Sequence, residues 1–282
     1  MVKTVIAKSL NQALEALDKT NYQIVAGGTD MLIQNRSHTG MPIGYKKNVL
    51  YTNLVDELNY IKEDSDNIYI GANTRLETLL ESAVTPKVLK DVILEMASPA
   101  IRHTATLAGN IGNASPAGDS LVVLYLLDCK LEISSLNNKR VVYLQDFITG
   151  VRKIDLEKNE LITKIIIPKI NLTDVYFRKV GPRLSDAISK LSFAGGYIIE
   201  NKIIKDFRVA FGAVYITVIR NKAIEKQFIG KTVKELVDNK KAIIAEYEPL
   251  IQPIDDQRSN RIYRKKVALN LLEEFINKIE EA

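Results

Sequence analysis

Apolar positions recur in two periods along the 282-residue chain, and the switches between them mark its elements. Leu10, Ala13, Leu14 and Leu17 fall three or four apart and predict a helix. Ser9 opens it, and Gln12 completes a capping-box pattern. Short apolar runs at 22–26, 48–52 and 67–71 read as strands. Thr74 with Glu77 forms a second capping-box pattern before a helix at 76–81. Thr85-Pro86 opens a further helix with a stripe of Val88, Leu89, Val92, Ile93 and Met96, and Pro99 ends it. Residues 121–127 read as an apolar helix that starts at Asp119 or Ser120. Segments 131–134 and 140–143 flank Leu136-Asn137-Asn138 as a hairpin, and 161–167 is a strand stopped by Pro168.

From about residue 170 the texture changes. Long strand patterns cover 175–180, 190–200 and 203–217, the last two meeting at Glu200-Asn201-Lys202. Helical patterns follow at 223–228, 233–237, 240–247 and 259–279. This predicts an α+β protein with a domain boundary near residue 170. The first region, 1–170, divides into two small α/β subdomains of about 1–55 and 56–170. The second, 171–282, carries an antiparallel sheet with helices packed on one side.

Composition narrows the chemistry. A content of 46% hydrophobic and 26% charged residues is ordinary for a globular protein. No segment reaches the roughly 20 apolar residues needed to span a bilayer, and lysines interrupt the N-terminal stretch, so the expected compartment is the cytoplasm. The net charge of +5 is dispersed, apart from Arg258, Arg261, Arg264, Lys265 and Lys266. A nucleic-acid binder would gather it on one face. The single cysteine, Cys129, precludes an internal disulfide and cannot supply the roughly four thiolates of an iron–sulfur cluster. His38 and His103 have no ligand-spaced partners. With no nucleophile elbow or P-loop, any redox chemistry must come from a bound cofactor.

Two polar, glycine-bearing stretches stand out. Ala26-Gly27-Gly28-Thr29-Asp30 follows a predicted strand and precedes a helical turn at 31–34, capped by Thr29 or Asp30. That arrangement can aim backbone N–H groups at a phosphate, and the missing Cβ atoms would clear its approach; a plain tight turn fits equally well. The stretch 107–120, Leu-Ala-Gly-Asn-Ile-Gly-Asn-Ala-Ser-Pro-Ala-Gly-Asp-Ser, reads as a long loop. Its asparagines, hydroxyls and lone carboxylate, Asp119, suit a nucleotide cofactor better than a metal. A structural loop held by its own turns is the alternative.

Taken with Val25 to Leu32, the run Ile101-Arg102-His103-Thr104-Ala105-Thr106-Leu107-Ala108-Gly109-Asn110-Ile111-Gly112-Asn113-Ala114-Ser115-Pro116-Ala117-Gly118-Asp119-Ser120 resembles the FAD-binding medium subunit of the molybdenum hydroxylases. Xanthine dehydrogenase, carbon monoxide dehydrogenase and archaeal aldehyde oxidoreductases belong to that family. Gly181 to Lys190 is similar to the family's lead-in to its C-terminal domain, and Asp256 to Arg264 to the start of its last helix.

The resemblance implies FAD bound to this chain in a PCMH-type region at 1–170. Ala26, Gly27, Gly28, Thr29, Asp30 and Met31, with Thr106, Ala108, Gly109 and Asn110, would cradle the pyrophosphate. Ile111 and Gly112 would lie on the flavin side, with Ser115 a further contact. Asp119 and Lys190 would be polar contacts to the cofactor, and Ile162 a backbone or packing contact at the ring. It further implies a small partner subunit with two [2Fe–2S] clusters and a large one with molybdopterin, as a heterotrimer or a dimer of heterotrimers. Electrons would pass from the clusters to FAD and on to an external acceptor, while substrate, an aldehyde by preference, is oxidised on another subunit. A self-sufficient FAD oxidoreductase of the wider superfamily and a non-catalytic nucleotide-binding assembly subunit are the alternatives. Two departures stand out. The family more often has Gly-Gly at Ala108-Gly109, and Asn at His103. Ala108 is tolerable only if its φ is negative.

Overall fold

A computed structural model describes residues 2–36, 38, 40–41, 43–183 and 186–281. The chain forms two compact units. The first comprises Met1–Thr85, Ala97–Ala114 and Asp128–Lys169, and the second Pro86–Met96, Ser115–Leu127 and Ile170–Ala282. Two helical segments from before residue 170 therefore belong to the second unit.

The first unit holds two principal sheets. Strands β1 (Thr4–Ile6), β2 (Gln23–Val25) and β3 (Val49–Tyr51) form a parallel sheet in the order β1-β3-β2. The helix Leu10–Lys19 carries the chain from β1 across to β2 on the far side of β3, burying Ala13, Leu14 and Leu17. Ser9 accepts the Gln12 N–H as expected, but the Gln12 side chain takes the Lys8 N–H instead of closing the box. Strands β4 (Ile61–Glu63), β5 (Asn67–Gly71), β6 (Lys130–Ser134) and β7 (Lys139–Tyr143) join the central β10 (Leu161–Pro168) in an antiparallel sheet, order β4-β5-β10-β6-β7. A small hairpin, β8 (Ile148–Gly150) with β9 (Lys153–Ile154), lies between them in sequence.

Two expected helix signals act differently. The helix Leu76–Glu81 forms, but its N-cap is Arg75 and the second capping box is absent. Thr74 donates to the Tyr60 carbonyl at 2.9 Å, and Glu77 pairs with Arg102 at 3.1 Å. Pro99 does not merely end a helix. It occupies the first turn of a new one, Pro99–Arg102.

The second unit is built on an antiparallel sheet, β11 (Asp174–Val180), β12 (Leu191–Glu200), β13 (Ile203–Gly212) and β14 (Ile219–Arg220), in sequence order. The expected strand 203–217 ends at Gly212. The turn between β12 and β13 puts Asn201 and Lys202 at positive φ, as a tight hairpin requires. Helices cover both faces of this sheet, not one. A Cβ on Gly195 would lie 2.6 Å from the Phe275 ring on the long helix Arg261–Glu281. One on Gly196, pointing the opposite way, would lie 3.6 Å from Leu126 on the helix Asp119–Leu126. That helix is buried all round, as its unbroken apolar sequence predicts. Its last carbonyls, Tyr125 and Leu126, accept from Arg220, which is itself paired with buried Glu225 at 2.9 Å.

Candidate functional site

The two glycine-bearing stretches meet in the first unit. β2 runs into Ala26, and the chain then passes against Thr104 and Ala105. A Cβ on Gly27 would overlap the Thr104 carbonyl oxygen and lie 2.8 Å from the Ala105 Cα. Gly28 follows at φ +70°, where a side chain is strained. Gly27 is therefore required by the chain's own packing, and Gly28 by its backbone conformation. The bare edge of Gly27 admits the Thr104–Ala105 segment that leads into the second stretch.

The second stretch is not the long loop its composition suggests. Leu107–Asn113 is a helix. Thr106 caps it, accepting the Gly109 N–H at 3.0 Å. Leu107, Ala108 and Ile111 are buried. This cap and apolar face outweigh the roughly 1 kcal/mol that each glycine costs a helix. Ala108 is helical and absent from the positive-φ residues, so alanine there is unstrained.

Gly109 and Gly112, three apart, are exposed on one face of this helix. A Cβ on Gly112 would meet nothing within 4 Å. Nothing in the described chain demands glycine at that position. Asn110 is half-buried, and the helix ends at Ala114 in the left-handed region, φ 45°.

An ionic clasp joins the stretches. Asp30 stands at the N-cap of Met31–Gln34 but makes no capping bond. Its carboxylate instead accepts from the Gln34 amide and lies 3.5 Å from Arg152 Nη1. Arg152 Nη1 also donates to Asn113 Oδ1 at 2.7 Å, and its backbone N–H to the Ala114 carbonyl at 3.0 Å. Thr29 and Met31 are half-buried beside it.

A cavity of about 330 Å3 opens where these elements converge. Ala26, Gly27, Gly28 and Thr106, all singled out from sequence, line it together with Tyr51, Asn73 and Arg75. Sequence reasoning missed the last three, because no spacing pattern marks them. Asn73 shapes the wall by donating to the Thr52 and Val55 carbonyls. Tyr51 shares a 2.8 Å hydrogen bond with Tyr45, whose hydroxyl is pushed up to about 12 by burial and by that bond. Ile162 is buried in β10, paired with Ile133.

The remaining expected contacts belong to the second unit. The Asp119 carboxylate is buried, accepting from Lys179 Nζ at 2.7 Å and from the Ser189 hydroxyl. Burial pushes its pKa up, against the pull of Lys179. Lys179 also donates to the Glu95 carbonyl at 2.7 Å. Lys190 Nζ lies 5.3 Å from the Tyr263 ring centroid, and the Ser115 hydroxyl oxygen accepts the Ala117 N–H. Leu184 and Ser185 of the motif at 181–190 lie outside the described residues. Among the described residues, no group of three or more His, Cys, Asp or Glu is placed to hold a metal, and no helix is long and apolar enough to cross a membrane.

Residues 1–170 match the family model described as the FAD binding domain in molybdopterin dehydrogenase. The chain belongs to this family. Residues 176–279 match the CO dehydrogenase flavoprotein C-terminal domain. The glyceraldehyde dehydrogenase medium chain of Sulfolobus acidocaldarius is 30% identical over 93% of this chain and 92% of its own length. The xanthine dehydrogenase FAD-binding subunit of Escherichia coli O157:H7 is 29% identical over 97% of this chain and 92% of its own. The fold is shared with a carbon monoxide dehydrogenase of Hydrogenophaga pseudoflava that lacks the Mo-pyranopterin moiety of its cofactor. The TM-score is 0.86 at 21% identity, over 97% of this chain and 95% of that one. The resemblance carried by the sequence motifs and the α+β fold class are borne out. This is an oxidoreductase chain with FAD as its cofactor.

The residues present fit that cofactor. The open space at Gly112 lets a ligand approach helix backbone, whereas a Cβ on Gly109 would lie 3.0 Å from the capping Thr106 hydroxyl. Of the residues lining the cavity, Arg75 is the one basic residue and none is acidic, so no carboxylate opposes a diphosphate there.

Proposed function

We propose that this chain is the flavoprotein subunit of a molybdenum hydroxylase that oxidises an aldehyde on another subunit. The observation that carries the reading is Gly112, a helical glycine with open space above it, on the helix that Thr106 caps beside the cavity. The residues holding FAD are Ala26, Gly27, Gly28, Thr29, Asp30 and Met31, and Thr106, Ala108, Gly109, Asn110, Ile111 and Gly112. Ile162 joins them as a contact from β10, whereas Ser115, Asp119 and Lys190 belong to the second unit, where Lys179 and Ser189 take the Asp119 carboxylate.

The chain's own part is binding and positioning. The Gly27 contact fixes the first stretch against the second, and the Arg152 clasp fixes both ends. Bound FAD supplies a carrier that takes electrons from the [2Fe–2S] clusters of a small partner and yields them to an external acceptor. A large molybdopterin subunit completes the heterotrimer, and its substrate centre lies outside this chain. Support for an aldehyde comes from the 30% identity to the medium chain of a glyceraldehyde dehydrogenase.

The test is anaerobic mixing of the complete complex with an aldehyde, carbon monoxide or xanthine in turn. The reading expects flavin absorbance to bleach with the aldehyde, and the isolated chain to be inert. Turnover of a simple alcohol by the isolated chain, or bleaching by xanthine or carbon monoxide alone, overturns it.

A further inference from the structure

Arg75 has a position that its local structure does not explain. It is the N-cap of the helix Leu76–Glu81 and makes no capping hydrogen bond. Arginine is a poor choice there. Capping favours Ser, Thr, Asp or Asn, and a cation is repelled by the positive end of the helix dipole. Three other arginines of the first unit have carboxylate partners: Arg102 has Glu77, Arg140 has Asp155 and Glu160, and Arg152 has Asp30. Arg75 has no ion pair or side-chain hydrogen bond among the described residues, and it is exposed.

Its backbone is nonetheless fixed. Arg75 bridges to Thr106 in an antiparallel pairing, and the Leu76 N–H donates to the Ala105 carbonyl at 2.9 Å. Residue 75 is thereby held on the cavity wall beside the capping threonine of the bare-faced helix. An unneutralised guanidinium carried on this fixed backbone position, at a cavity with no acid in its lining, is suited to a bidentate phosphate contact.

We infer that Arg75 binds the cofactor's diphosphate and makes the site select phosphate-bearing flavin over riboflavin. The inference rests on the FAD reading above. It predicts that affinity depends on the cation at this position and weakens with added salt.

The test compares wild type with Arg75→Ser and Arg75→Lys by titrating FAD, ADP and riboflavin into the flavin-free full chain. Loss of a charge-assisted hydrogen bond should weaken FAD and ADP binding to Arg75→Ser by about 10- to 100-fold. Riboflavin binding should change by less than about two-fold, since no phosphate is present. Arg75→Lys should fall in between for FAD. Serine is the better cap, so Arg75→Ser should also melt no lower than wild type. A structural role would lower melting temperature and affinity for all three ligands together. Wild-type binding of FAD with Arg75→Ser unchanged overturns the inference alone. Failure of wild type to bind either FAD or ADP overturns the FAD reading as well.

Discussion

Gly112→Ala separates what the fold needs from what a ligand needs. The added Cβ meets no atom within 4 Å, and Gly112 is not among the positive-φ glycines, so alanine enters without strain. Glycine lies about 0.5–1 kcal/mol below alanine in helix propensity. The apo chain should therefore gain about that much. For a protein of this size, 1 kcal/mol shifts the midpoint by about 2–4 °C, so calorimetry should show an upward shift of about 1–4 °C. A ligand lying against the bare helix face must back away from the new methyl group. FAD affinity, followed by flavin fluorescence, should fall at least about 10-fold, or 1.4 kcal/mol. Gly27→Ala is the contrasting control. Its Cβ meets the backbone of Thr104 and Ala105, which cannot swing aside, so stability should fall by about 1–3 kcal/mol or more. A stabilised Gly112→Ala chain that binds FAD as wild type does would refute the placement of ligand on this face.

Three further outcomes follow from the structure. Arg152→Ala removes the contacts to Asn113 and Asp30; both partners are half-exposed, so stability should fall by about 1 kcal/mol or less, while FAD should dissociate several-fold faster in stopped-flow displacement. Asp119→Asn leaves the Lys179 ammonium, 4% exposed, without its carboxylate; a loss of about 3–5 kcal/mol is expected in denaturant titration, and a change below 1 kcal/mol would contradict the buried pair. The Arg140 guanidinium holds the Glu160 carboxyl below its ordinary value of 4.5. A lowered folded-state pKa means that this stabilisation is full above about pH 4.5 and lost as pH falls through the lower value. Arg140→Gln should therefore flatten the acid limb of the melting profile between pH 5 and pH 3, to about the extent that the pair contributes.

Much of the fold was legible because its elements announce themselves locally. The helix Lys240–Tyr247 and the strand Asn67–Gly71 carry their periods in full, and both form as expected. The stretch 107–120 misled because glycine and asparagine usually mark loops. There, buried Leu107, Ala108 and Ile111 with the Thr106 cap make a helix that propensity alone would not. The Thr74–Glu77 pattern misled for a different reason. Tertiary partners, the Tyr60 carbonyl and Arg102, claim both side chains. At the site, Gly27 and Gly28 were found from composition, but their reason was not, since the opposing Thr104 carbonyl is 77 positions away in the sequence. Arg75 carries no local signal. It joins the cavity wall only through the pairing of residue 75 with Thr106.

The central claim is that FAD lies against residues 26–31 and the Thr106–Gly112 segment. Hydrogen exchange of the chain with and without FAD, beside a binding titration, tests it most directly. The account predicts one FAD per chain, with slowed amide exchange concentrated in those two stretches. Absence of saturable binding, or protection confined to other segments, would contradict it.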